Sequence, residues 1–169
     1  MTPSRSEFEE FAISHTPSLL RSAYLLTGDQ QHAEDLVQIA LARAHRAWKR
    51  IENHGNAPAY TRKIMYHQQV SFWRRRRVIE KFSEKPVEQA IPDSTGAVDL
   101  KVSLRQSLRT LSPKQRAVVV LRFFEDRSVS ETAEVLECSE GTVKTQTFRA
   151  LNKLRSVLPS LDELTNGAE

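Results

Sequence analysis

The chain has 169 residues, 39% hydrophobic and 27% charged, with a net charge of +4, which gives room for one medium domain or two small ones. A single cysteine, Cys138, excludes an internal disulfide framework. The aliphatic run around Ala117 to Leu121 is far too short to cross a bilayer, and the start MTPSRSEFEEF is acidic where a signal peptide would be basic and then apolar, so a reduced cytoplasmic setting is expected.

With five glycines, short apolar runs and no sustained alternation of apolar and polar residues, the composition favours an all-α fold. The charge is unevenly spread. Residues 1–42 hold two basic and six acidic side chains, whereas residues 43–77 hold ten basic and one acidic. A concentrated positive field of this kind fits a phosphate-backbone partner, and it also fits a solvated basic helix face.

In chain order, Phe8, Phe11, Ala12, Leu19, Leu20, Ala23, Tyr24 and Leu26 predict a helix over residues 5–26, interrupted around Pro17. Thr27-Gly28-Asp29 forms a turn with Asp29 as N-cap. Ala33, Leu36, Val37, Ala40, Leu41, Ala44, Ala47 and Trp48 mark a second helix, ended by the breaker cluster Asn53 to Asn56. A third helix is predicted from Pro58 to Arg77. Residues 78–100, punctuated by Pro86, Pro92 and Gly96, are read as a flexible linker. A short helix over 101–110 follows. Ser112-Pro113-Lys114-Gln115 then reads as a capping box opening a helix through Phe124. The last two helices, Val129 to Glu137 and Thr142 to Leu158, are joined by a tight turn with Ser139 as N-cap. Residues 159–169 form an acidic tail.

The final pair has helix-turn-helix proportions, and its second helix carries Lys144, Arg149, Lys153 and Arg155 without an acid. An ordinary helical hairpin has the same pattern. In residues 60–77 basic side chains interleave with Tyr60, Tyr66, Phe72 and Trp73. Arginines can neutralise phosphates and aromatics can stack on unpaired bases. Core packing is the alternative for each aromatic. No glycine-rich phosphate loop or nucleophile elbow is present. None of the five histidines pairs with Cys or carboxylates at ligand spacing, so no metal, cofactor or catalytic residue is expected.

Three strings resemble the extracytoplasmic-function (ECF) sigma factors of the sigma-70 type. They are Gly28-Asp29 through Ala33-Glu34-Asp35-Leu36-Val37-Gln38 with Trp48, Leu111 to Arg116 with Val118 to Arg122, and Glu131-Thr132-Ala133 through Gly141-Thr142-Val143-Lys144. The resemblance spans about residues 7–158. It implies two helical domains, region 2 over residues 5–77 and region 4 over 101–158, joined by a linker. It also implies a protein that binds core RNA polymerase and directs promoter-specific initiation without catalysis of its own. Asp35, Leu36, Gln38 and Arg43 would dock on the polymerase. Asn53, Asn56, Tyr60, Arg62, Lys63, Tyr66, Gln69, Trp73, Arg74, Arg75, Arg76 and Arg77 would recognise and melt the minus-ten element. Ser139, Thr142, Lys144, Thr145, Gln146 and Arg149 would read the minus-thirty-five element. An anti-sigma factor, membrane-associated in some cases, is an implied partner.

Two residues depart from the family pattern. Glu137 stands where many relatives carry glycine, at a turn whose left-handed backbone would penalise a side chain, unless its geometry differs. Gln146 replaces a common arginine, which predicts a preference for adenine over guanine at one base pair. A free-standing dimeric repressor would need a dimerisation or sensor domain, which residues 1–77 do not resemble. A sigma mimic would usually carry a receiver domain. A compact free form that hides both DNA surfaces, with the acidic N-terminal segment pairing with the basic residues 43–77, is a further expectation.

Overall fold

The computed structural model describes residues 3–51, 54–82 and 100–157. Every regular element among them is helical: α1 (Pro3–Thr27), α2 (Gln30–Ala47), α3 (Ala57–Phe82), α4 (Leu100–Arg109), α5 (Pro113–Val119), α6 (Val129–Leu136) and α7 (Glu140–Val157). None is long and apolar enough to cross a membrane.

The N-terminal unit is α1, α2 and α3. Pro17 sits inside α1 without ending it. The hydroxyls of Ser14, Thr16 and Ser18, on either side of it, donate to the carbonyls of Glu10, Ala12 and His15. The helix stops at Gly28, whose φ of 71° suits glycine, and a Cβ there would lie 2.5 Å from Arg109 Nε. Asp29 caps α2 as expected, its Oδ1 accepting from the Gln31 amide at 2.9 Å. Leu19, Ala23, Leu26, Ala33, Leu36, Val37, Ala40, Met65 and Tyr66 interlock at the centre. A satellite cluster around Phe11, Trp48 and Ala57 closes one end, with the Phe11 and Trp48 ring centroids 5.4 Å apart.

Helix α3 continues to Phe82, so the first residues of the expected linker are helical, and residues 83–99 lie outside the described residues. No glycine or proline occurs between Ala59 and Lys85, so nothing in the chain stops the helix at residue 77.

The C-terminal unit opens as read from sequence. Ser112 Oγ accepts from the Gln115 amide at 3.2 Å and Gln115 Oε1 accepts from the Ser112 amide at 3.1 Å, completing the capping box. After Val119 the helix widens into a π turn over Val120–Phe124. One extra residue in a turn rotates the downstream side chains by roughly 100° about the axis. Val120 and Leu121 stay buried, Phe123 and Phe124 turn outward, and Glu125 is delivered to α3. Sequence periodicity predicted a plain helix here.

The two units share a core, in which Ala117, Val120, Leu121 and Val135 pack with Leu19, Leu26 and Tyr66. Arg116, 4% exposed, seals the seam. Its guanidinium donates to the carbonyls of Leu26 at 2.7 Å, Leu108 at 2.9 Å, Arg109 at 3.2 Å and Leu111 at 3.3 Å. Burial, then the neighbouring Arg109, pull it down to about 10, which still leaves it charged at neutral pH. Arg109 reaches across as well, donating to the Gly28 carbonyl. Two cations therefore sit on the negative end of α1, where the helix dipole favours them.

Candidate nucleic-acid interface

Helix α7 is held from below and open above. Val143, Ala150 and Leu154 are buried. Ser139 caps the helix, its Oγ accepting from the Thr142 amide at 3.1 Å. On the outer face Lys144, Thr145 and Arg149 are exposed, with Thr142 and Gln146 half-buried beside them. Phe148, 67% exposed, stands on the same face. Sequence reading passed over Phe148, although a large aromatic off the buried stripe of an otherwise polar helix was visible in the periodicity. The turn before α7 has Glu137 at φ 51° and ψ 48°, so it takes the left-handed geometry despite lacking a glycine. Cys138 is half-buried against Val118, Ala133 and Val143, as a small packing residue would be.

Helix α3 divides the basic-aromatic set in two. Asn56, Tyr60, Arg74 and Arg75 are exposed. Trp73 is half-buried, with the Arg76 guanidinium 5.4 Å and the Arg116 guanidinium 5.8 Å from its ring centre. Asn53 and the side chain of Arg77 lie outside the described residues. Arg62, Tyr66 and Gln69 are buried. Arg62 Nε donates to Glu125 Oε1 at 2.6 Å, and the Tyr66 hydroxyl donates to the other oxygen of the same carboxylate. Lys63 Nζ lies 2.9 Å and His67 Nε2 3.9 Å from the Glu137 carboxylate. Lys63, by hydrogen bond and charge, and His67 together hold that carboxyl below the usual carboxylate range. Glu125 and Glu137, which face the basic helix, come from the C-terminal unit, and the open outer face of α7 departs from the expectation that a compact form hides both DNA surfaces. Glu125 carries no sequence signal of this role, because its partners lie about sixty residues away.

On α2, Asp35, Gln38 and Arg43 are exposed along one face. Leu36 is 3% exposed and belongs to the core of the N-terminal unit, so its expected place on a docking surface is corrected to a packing role. Among the described residues no cluster of three or more His, Cys, Asp or Glu could hold a metal ion.

Comparison with known proteins decides the family. Residues 11–78 match the sigma-70 region 2 family and residues 101–154 match sigma-70 region 4. The RNA polymerase sigma-E factor of Streptomyces coelicolor is 42% identical over 156 residues, covering 92% of this chain and 88% of that one. The ECF RNA polymerase sigma factor SigL of Mycobacterium tuberculosis is 32% identical over 155 residues, covering 87% of this chain and 86% of its own. The chain belongs to the ECF subfamily of sigma-70 type sigma factors. Its function is promoter-specific transcription initiation with RNA polymerase. In three dimensions this sigma factor is similar to the sigma factor RpoE of Bartonella quintana, solved with the anti-sigma factor NepR, at a TM-score of 0.71 and 27% identity over 90% of this chain and 97% of that one. It shares its fold with CnrH, solved with the cytosolic domain of CnrY, at a TM-score of 0.67 and 21% identity over 92% of this chain and 90% of that one.

Proposed function

We propose that the two units divide promoter recognition between them. The N-terminal unit, residues 5–77 with the helical extension beyond, docks on core polymerase through Asp35, Gln38 and Arg43 and engages the minus-ten element through α3. Arg62, Lys63, Arg74 and Arg75 take the phosphates, while Tyr60, Tyr66 and Trp73 stack on bases released from the duplex, each stack contributing about 1–3 kcal/mol. Melting is the consequence of that stacking, because unpaired bases have a better partner on the protein than in solvent.

The C-terminal unit, residues 101–158, places the N-terminal half of α7 in the major groove at the minus-thirty-five element. Ser139 and the first amides of α7 take a phosphate. Thr142, Lys144, Thr145, Gln146 and Arg149 meet base edges or backbone. Phe148 adds an apolar contact suited to a thymine methyl. The RpoE complex with NepR supports an anti-sigma factor as a regulatory partner of this chain. The protein carries no chemistry of its own, and it acts in the cytoplasm where the polymerase works.

The observation that carries this reading is the open outer face of α7, a capped helix whose exposed residues are basic, hydroxylic and aromatic. Run-off transcription with purified core polymerase and genomic fragments tests it. New discrete starts sharing two spaced upstream elements are expected only when this protein is added. Core binding without transcripts would point to a mimic, and absence of core binding would overturn the reading.

A further inference from the structure

We propose that the cleft between α1, the start of α3 and the segment after the π turn is a binding site for a phosphomonoester the size of a mononucleotide, held by Arg21 and Arg127. The cleft takes no residue from α7, and the proposal does not depend on the division of promoter recognition given above.

The cleft has a volume of about 510 Å³. That lies within the range of small-molecule sites and is far more than a bare phosphate fills. Its lining is of two kinds. Arg21 from α1, Arg62 from α3 and Arg127 from the turn before α6 are cationic. Leu25, Pro58 and Phe124 are apolar, and the Phe124 ring is 44% exposed.

The three cations are not equivalent. Arg62 is satisfied, its Nε donating to Glu125 Oε1 at 2.6 Å, and the Glu125 carboxylate is already shared between Arg62 and the Tyr66 hydroxyl. Arg21 is exposed and makes no ion pair with another described residue. Arg127 Nε is buried and finds no hydrogen-bond partner among the described residues. Its Nη1 lies 3.7 Å from Glu131 Oε2, beyond hydrogen-bond reach. A buried donor without an acceptor calls for one.

The charge left over selects the ligand class. Arg21 and Arg127 offer two positive charges without a close acid, which matches the roughly −1.5 to −2 of a phosphomonoester at neutral pH. A carboxylate or a phosphodiester carries about half as much. The planar guanidinium forks also suit phosphate oxygens, each fork offering paired donors.

Arg127 is placed by the local chain before any ligand arrives. Asp126 turns the backbone through the left-handed region at φ 55°. The Arg127 amide then donates to the Leu121 carbonyl at 2.9 Å, and the Arg127 carbonyl accepts from Arg122 Nη1 at 2.5 Å. With both backbone groups engaged, less freedom is lost on binding than at an unanchored surface arginine. Phe124, turned outward by the π turn, offers a ring face on which a base can stack. The lining comes from both units, so an occupant contacts both and stabilises the folded chain as its concentration rises.

The test titrates the full chain by calorimetry with the four mononucleotides AMP, GMP, CMP and UMP. Three partial ligands accompany them: inorganic phosphate, adenosine, and the dinucleotide ApA, whose phosphate is a diester. At least one mononucleotide is expected to bind about tenfold or more tightly than any partial ligand, and to raise the melting temperature with dose. Arg21→Ala and Arg127→Ala should each weaken that binding by at least about fivefold, as loss of a charged donor requires. Arg155→Ala removes a cation from α7, outside the cleft, and should leave the affinity within about twofold of wild type. Arg21 is exposed, so its removal spares the fold, and circular dichroism checks all three variants.

If no mononucleotide exceeds inorganic phosphate and adenosine, the site is overturned. The same holds if Arg21→Ala and Arg127→Ala lose no more affinity than Arg155→Ala, because binding would then be a property of the basic surface at large. ApA binding as tightly as AMP, and through the same two arginines, would show that the cleft takes a nucleic-acid backbone and would overturn the small-molecule assignment.

Discussion

One carboxylate, that of Glu125, accepts both from Arg62 Nε at 2.6 Å and from the Tyr66 hydroxyl, tying the end of the π turn to two successive turns of α3. The contact is nearly dry, with the Arg62 and Glu125 side chains 11% and 12% exposed. A charged pair in that setting is expensive to break from one side, because the remaining partner is left buried and uncompensated.

The Tyr66 phenol should ionise late. Burial, then the charge of Glu125 and its hydrogen bond, hold it well above the ordinary 10.0. An acid whose folded value is raised contributes stability that is fully present below pH 10 and lost as pH climbs toward the folded value. A spectrophotometric titration should show one tyrosine ionising well above the ordinary range. Tyr66→Phe should abolish the lagging step.

Arg116 organises the seam through four carbonyls. Arg116→Met should lower stability by about 2–4 kcal/mol in urea denaturation, since each carbonyl loses a charged donor inside the protein. Arg116→Lys should restore little, because an ammonium cannot reproduce the planar fork that reaches all four. Full rescue by lysine would show that charge alone is required.

Specificity at the minus-thirty-five element should follow Gln146. Replacing it by arginine should move preference from adenine toward guanine at one base pair, by about 1–3 kcal/mol. Selection from a randomised duplex pool reads this directly, and an unchanged consensus would remove Gln146 from the base contacts. Phe148→Ser should weaken binding to the selected duplex with little change in stability, because the ring is 67% exposed and supports no core.

Arg74 and Arg75 should act as phosphate contacts of the holoenzyme. Each change to alanine should reduce the slope of log affinity against log salt by about 0.7–0.9, the amount expected for one released counterion. A parallel loss of affinity with an unaltered slope would assign them a non-electrostatic role.

Much of this protein was legible in the sequence by itself. The helices, the Asp29 cap, the capping box at Ser112 and Gln115, and the turn before α7 follow from local rules, because each depends on residues within one or two turns of one another. The outer face of α7 was legible for the same reason, since the buried stripe of a helix defines its open side. The features the sequence could not decide are set by contacts between distant segments. The π turn that delivers Glu125 to α3, the burial of Arg62 and Tyr66 against the C-terminal unit, the withdrawal of Leu36 into the core, and the bond from Arg116 to the Leu26 carbonyl all join residues far apart in the chain. Periodicity reports which side of a helix is apolar. It does not report which other helix covers that side, and in this protein that choice buries Arg62 and Tyr66 of α3 against Glu125 of the C-terminal unit.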